Sequence, residues 1–136
     1  MTLEFEVSAV VPATQAAIYD AWLDSESHSL MTGGEASVSD KEGDSFEVWD
    51  GYIQGVNLEL EPASRILQRW RTVEFDDTDE DSLLEILLSQ EGESTRVTIK
   101  HSKLPDHGMQ YQQGWIDSYF IPMTEYFGRG SEGSIN

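Results

Sequence analysis

The chain is predicted to be an α+β protein in which a curved antiparallel sheet of about seven strands wraps around one long C-terminal helix, with two short helices after the first strand. Between positions 109 and 127 the large apolar residues Trp115, Ile116, Tyr119, Phe120, Met123, Tyr126 and Phe127 recur at three- and four-residue intervals. That spacing lines them along one side of a helix. Upstream, short runs suited to strands follow one another between turn-forming clusters, the pattern of a meander. A single helix with this much aromatic surface needs a concave sheet to lie in, and the pair makes a cup.

Taken in order, residues 3–11 alternate apolar and polar, as a strand with one buried face does, and Pro12 stops it. Thr14 is an expected N-cap for a helix carrying Ala16, Ala17, Ile18, Ala21, Trp22 and Leu23. A second helical stretch over 25–32 is expected to end at Gly33 and Gly34. Strands are expected near 35–39, 45–49, 52–60, 65–73, 82–89 and 95–101, separated by turn chemistry at 41–44, 61–64, 76–81 and 91–94. Connections this short favour hairpins between sequential strands. Pro122 falls inside the terminal helix, where it removes the backbone bond to the Ser118 carbonyl and is expected to bend the helix to the curvature of the sheet.

With 136 residues and 15.3 kDa there is material for one domain, expected over 1–130, followed by a disordered tail over 131–136. Twenty-six acidic against eight basic residues give a net charge of −18, which opposes nucleic acid and anionic membrane surfaces. The acids are spread along the chain, as in a solvation strategy; a patch for a basic protein surface is the functional alternative. There is no cysteine, so disulfides, thiolate metal sites and cysteine nucleophiles are excluded. The first residues lack the pattern of a secretory signal and the apolar runs are too short to span a bilayer, so a soluble cytoplasmic protein is expected.

Alternation assigns faces. Val56, Leu58 and Leu60 are expected on the inner wall with Leu84, Ile86, Leu88, Val97 and Ile99, and the same parity adds Tyr52, Gln54, Gln68, Trp70 and His101. Arg69, Arg71, Arg96 and Lys100 then face solvent. Gln54, Gln68 and His101 need partners or a cavity. The candidate cavity lining is therefore Trp22, Phe46, Trp49, Tyr52, Gln54, Gln68, Trp70, Phe75, His101, Tyr111, Trp115, Tyr119 and Met123, with rings for flat apolar contact and polar groups to orient a ligand. The competing reading of each ring is plain core packing. Gly55 is the expected position at which a larger side chain would block the mouth.

Three sequence blocks carry a family resemblance. Phe46 to Trp49 and Gly51 to Gly55 precede Asn57 to Pro62 and Arg65 to Arg71; His101 to Pro105 precede Tyr111, Gly114 and Trp115; Tyr119 to Phe127 close the series. This succession resembles the activator of heat-shock-protein-90 ATPase homologue family, within the START-like, birch-pollen-allergen-like superfamily also called SRPBCC. The resemblance covers nearly the whole chain. It implies the helix-grip fold, an interior cavity for hydrophobic molecules, and, from eukaryotic namesakes, a stress-related role in stimulating a chaperone ATPase.

Other chemistry finds little support. His28, His101 and His107 match no ligand spacing, and no metal or cofactor is expected. Reading Asp77, Asp79 and Asp81 as the first ligands of a calcium loop puts Ser82 where glycine is needed and Leu88 where glutamate is needed. No nucleophile elbow or phosphate loop occurs, so no catalytic residue is assigned. The leading expectation is non-enzymatic binding of a small hydrophobic or amphipathic molecule between helix and sheet. A protein-interaction module or chaperone cofactor is the alternative, and a cyclase-like enzyme polarising substrate with Gln68, His101 and Tyr119 is a distant third.

Overall fold

The computed structural model describes residues 3–135, with side chains described through residue 128. Strand β1 (Leu3–Val11) alternates half-buried and exposed positions as its sequence dictates, and helices α1 (Gln15–Trp22) and α2 (Ser25–Thr32) follow. The Thr14 side chain accepts from the Ala17 amide at 3.1 Å, and Asp24 caps the second helix through the Ser27 amide at 2.9 Å. Gly33 closes α2 in the left-handed conformation, φ 86°. Five strands come next: β2 (Ser45–Val48), β3 (Ile53–Glu61), β4 (Arg65–Thr72), β5 (Ser82–Glu91) and β6 (Ser94–Leu104).

All pairings are antiparallel, in the order β1-β6-β5-β4-β3-β2. The sheet thus has six strands, one fewer than expected. The one backbone pairing of residues 35–39 with it, among the described residues, is an isolated bridge from Ser37 to Glu47. Hydroxyls of α2 explain why: Ser29 Oγ accepts from the Ala36 amide at 2.9 Å and Ser25 Oγ from the Val38 amide at 3.0 Å, so the segment is tied to the helix instead of extending a ladder. Helices α1 and α2 carry the chain from one sheet edge to the other.

The inner faces of β4, β5 and β6 follow the expected parity, with Ile66, Gln68, Trp70, Leu84, Ile86, Leu88, Val97, Ile99 and His101 buried. Strand β3 corrects it. Its ladder sets Ile53, Gly55 and Asn57 opposite the inward Thr72, Trp70 and Gln68, while Gln54 and Val56 stand opposite Arg71 and Arg69 on the outer face. A bulge between Asn57 and Glu59 then shifts the register, so that Leu60 lies opposite the buried Ile66.

The chain ends in α3 (Gln110–Trp115), a π-helical turn (Ile116–Phe120) and α4 (Ile121–Ile135). The Ile121 amide donates to the Ile116 carbonyl five residues back, one turn before Pro122. The turn before Pro122 thereby holds an extra residue, and Tyr119 and Phe120 are both buried. Helix α4 runs through most of the segment expected to be a disordered tail, and Asn136 lies outside the described residues. Met123, fully buried, sits in the core with Ile18, Ile86, Val97 and Ile99; burying a side chain of this size is worth about 1.5–3 kcal/mol.

The acidic loop after β4 is organised around a cation. Arg71 donates to the carbonyls of Asp79 and Asp76 and to the Asp81 carboxylate at 2.8 Å. Among the described residues no three His, Asp or Glu converge as metal ligands.

Candidate ligand-binding cleft

Where α3 and the π-helical turn cross the β2–β4 side of the sheet, they leave an open cleft of about 420 Å³. Its walls are six aromatic rings, Trp49, Tyr52, Trp70, Tyr111, Trp115 and Tyr119, with Ile53, Gln110, Gly114 and Ser118 between them. Helical spacing of four brings Tyr111, Trp115 and Tyr119 to one face, and the inward parity of β4 supplies Trp70. Trp49 arrives by a different route. It and Asp50 adopt left-handed conformations, φ 54° and 58°, in the turn joining β2 and β3. For residues with a side chain this costs about 1–2 kcal/mol each, and the turn brings the Trp49 indole to 6.4 Å from the Tyr119 ring at 79°.

The three tyrosine hydroxyls and the Trp115 indole N–H are already engaged. Tyr119 donates its hydroxyl to His28 Nε2 at 2.9 Å, because His28 Nδ1–H is spent on the Trp22 carbonyl at 2.8 Å. Trp115 Nε1–H donates to His101 Nδ1 at 3.1 Å. The His101 proton must then sit on Nε2, facing Ser82 Oγ at 2.8 Å, and the serine hydroxyl passes on to the Trp70 carbonyl at 2.7 Å. This chain works only with a neutral imidazole, and burial pushes His101 down to about 3. Burial likewise lowers the His28 pKa and raises that of Tyr119. Gln68 donates to Asn57 Oδ1 at 2.9 Å, and Asn57 donates to the Ser39 and Lys41 carbonyls.

At the rim, Glu74 Oε2 collects Tyr52 O–H at 2.6 Å, Gln110 Nε2 at 3.0 Å and Tyr111 O–H at 3.4 Å. Tyr111 O also lies 2.6 Å from Thr72 Oγ1. One carboxylate thereby ties together the turn before β3, the segment after β4 and α3. The Tyr52 bond first, then those from Gln110 and Tyr111 and the nearby His107, hold its carboxyl below the usual range. Tyr52 is raised, mainly by burial and then by the same bond.

Of the candidates read from sequence, Trp49, Tyr52, Trp70, Tyr111, Trp115 and Tyr119 meet in the cleft. Trp22, Phe46 and Gln68 lie deeper, around a void of only about 10 Å³; about one water is the most such a space holds. His101 and Met123 are core residues, and Phe75 packs its ring against Trp70 at 6.1 Å and His107 at 5.6 Å. Gln54 is exposed on the outer face, for the β3 parity reason given above. The cup is therefore filled at its base and open at its mouth. Ile53, Gln110, Gly114, Ser118 and the rim residue Glu74 were not among the sequence candidates. Gly114 carried a signal: glycine inside a helix costs about 1 kcal/mol against alanine and calls for a spatial reason.

The family model for "Activator of Hsp90 ATPase homolog 1-like protein" matches residues 12–128. The "Activator of 90 kDa heat shock protein ATPase homolog" of Dictyostelium discoideum is 31% identical over 99 residues, 71% of this chain and 26% of that protein. The chain thus spans about a quarter of the length of that relative. Among solved structures, an HSP90 activator from Plasmodium falciparum superposes with a TM-score of 0.81 at 19% identity, covering 93% of this chain and 96% of the other. The Aha1 dimer from Colwellia psychrerythraea superposes at 0.75 with 13% identity, over 89% and 93%. At those identities the superpositions speak to architecture alone, and that architecture is the helix-grip sheet and helix described above. Because the family match takes in α1, α2, strands β2 to β6 and the helix that grips them, this chain belongs to the Activator of Hsp90 ATPase homolog 1-like family.

Proposed function

We propose that the protein binds a small hydrophobic or amphipathic molecule in the aromatic cleft, without turning it over. The observation that carries this reading is the cleft itself: about 420 Å³ walled by six aromatic rings, within the size range of small-molecule sites. The non-enzymatic part rests on the engagement of the polar groups. Gln68, His101 and Tyr119, the residues a cyclase-like reaction would draw on, each spend their hydrogen bonds inside the protein. A cytoplasmic setting completes the reading. It rests on the cysteine-free composition, and no described helix is long and apolar enough to cross a membrane.

Gly55, the blocking position expected from sequence, does not serve, since an added Cβ there meets Phe46 and the Arg69 carbonyl. Gly114 does: it lines the cleft, and a Cβ there meets nothing within 4 Å. Gly114→Leu is expected to fill the cleft and weaken ligand binding at least about a hundredfold by steric exclusion. Stability should hold or rise by up to about 1 kcal/mol, because leucine is the better helix former. Native mass spectrometry of gently purified parent and variant checks this. A discrete small molecule released from the parent and missing from Gly114→Leu supports the site; equal retention by both would sink it.

The names of the relatives favour a second reading, in which the chain acts on an Hsp90-type chaperone. Its net charge of −18 suits a basic partner surface. Under this reading the chaperone's ATPase rate rises on adding the protein, the gain shrinks with salt, and Gly114→Leu behaves as the parent. Unchanged ATPase at low salt would remove it.

A further inference from the structure

We propose that the cleft selects molecules bearing a positively charged, alkylated ammonium group, a conclusion that rests on the reading of the cleft as a ligand site. The rings stand as walls. Trp49 meets Tyr119 at 79° and Trp70 meets Tyr111 at 79°, two corners linked by Trp115, which lies 4.8 Å from Tyr119 and 5.9 Å from Trp70. Aromatic faces carry negative potential, and a cation over several of them gains on each contact.

The alternatives fit less well. An anionic head would find no lysine or arginine among the lining residues. Three of the ring donors are also taken, since Tyr119 O–H, Trp115 N–H and Tyr52 O–H are turned to His28, His101 and Glu74. It would also meet Glu74 at the rim and the field of a −18 protein. A neutral apolar molecule would contact the same walls but gain nothing from the ring electrostatics or the carboxylate. An ammonium group whose protons are replaced by methyl groups needs no hydrogen-bond acceptor, which matches walls built of aromatic rings. Glu74 has one oxygen gathering three donors from lining residues, which holds the carboxylate at the mouth.

The test is a pair of probes of the same shape, choline and 3,3-dimethylbutan-1-ol, in which a quaternary nitrogen is exchanged for carbon. Both are titrated into the protein by NMR, following the indole N–H signals of the tryptophans. Choline is expected to bind at least tenfold more tightly than the alcohol. Trp49→Leu and Glu74→Gln, each at a half-buried or exposed position, are expected to cut that advantage to threefold or less. Equal affinities would overturn the cation preference while leaving the cleft as a ligand site. A choline preference untouched by either variant would overturn it too, by placing the cation elsewhere on the acidic surface. If neither probe shifts the indole signals, the ligand-site reading falls with it.

Discussion

Replacing His101 with alanine is expected to destabilise the protein by about 3–5 kcal/mol, the combined cost of a core void and of a buried donor, Trp115 Nε1–H, left without its acceptor. His101 is fully buried, and its ring joins Trp115 Nε1–H to Ser82 and onward to the Trp70 carbonyl. Phe5 and Trp70 also pack on it, at 5.5 and 4.5 Å between ring centres. The same histidine makes stability depend on pH. Its folded pKa is pushed down to about 3, whereas the unfolded chain protonates near about 6.5. As pH falls below about 6.5 the unfolded state takes up the proton first, so stability is lost through the window down to about 3, at up to roughly 1.4 kcal/mol per pH unit. His28, also lowered by burial, acts in the same direction. His101→Gln keeps a donor and an acceptor but does not titrate, so urea unfolding between pH 7 and pH 4 should show a lower baseline and a flatter slope. Parallel slopes for parent and variant would refute the assignment.

Gly55→Ala is expected to cost about 3 kcal/mol, at the upper end of what forced overpacking produces. A Cβ at this position would overlap the Arg69 carbonyl oxygen of the neighbouring strand and come within 2.5 Å of Phe46 Cζ. One of these neighbours is backbone within the β3–β4 ladder, which cannot turn aside as a side chain can. Relief therefore requires β3 and β4 to separate next to Trp70, the partner of Gly55 in the ladder and a wall of the cleft. Thermal or urea unfolding measures the loss, and tryptophan emission should shift as the Trp70 environment loosens. A variant within 1 kcal/mol of the parent would show that the two strands have slack the geometry does not provide.

Much of the architecture could be read before any coordinates. Short strands separated by turn residues favour pairing as hairpins, and regular alternation on β4, β5 and β6 named their buried faces correctly. The terminal helix announced Trp115, Tyr119, Phe120 and Met123 by their spacing, and all four are buried, while Ile116, Tyr126 and Phe127 of the same stripe are half-buried. Strand β3 escaped because its sequence is ambiguous in parity. Val56, Leu58 and Leu60 alternate as well as any strand, yet Gly55 and Asn57 take the inner face. The bulge that reconciles the two halves is imposed by the ladder with β4. Residues 35–39 also look like a strand locally, and lose that role to serine hydroxyls on a helix about ten residues earlier in the chain.

The candidate aromatic set was legible as chemistry but not as a site. Ring-bearing residues at core-like spacing are equally consistent with a packed interior and a lined cleft, and six of them turned out to line one while Trp22, Phe46 and Phe75 did not. Which ring falls where depends on the π-helical turn, on left-handed backbone at Trp49 and on Glu74 reaching two elements distant in sequence. By itself, then, the amino-acid sequence determined the class of fold, the absence of thiol chemistry, the acidic field and the aromatic stock from which a site is made. These follow from composition and from patterns within a few residues. The tertiary structure alone decided that the base of the cup is filled and its mouth open, that the tyrosine hydroxyls and the Trp115 N–H are spent internally, and that a carboxylate stands at the rim. Those outcomes depend on contacts between residues far apart in the chain, where a one-residue change of register in a strand or an extra residue in a helical turn exchanges core for cleft.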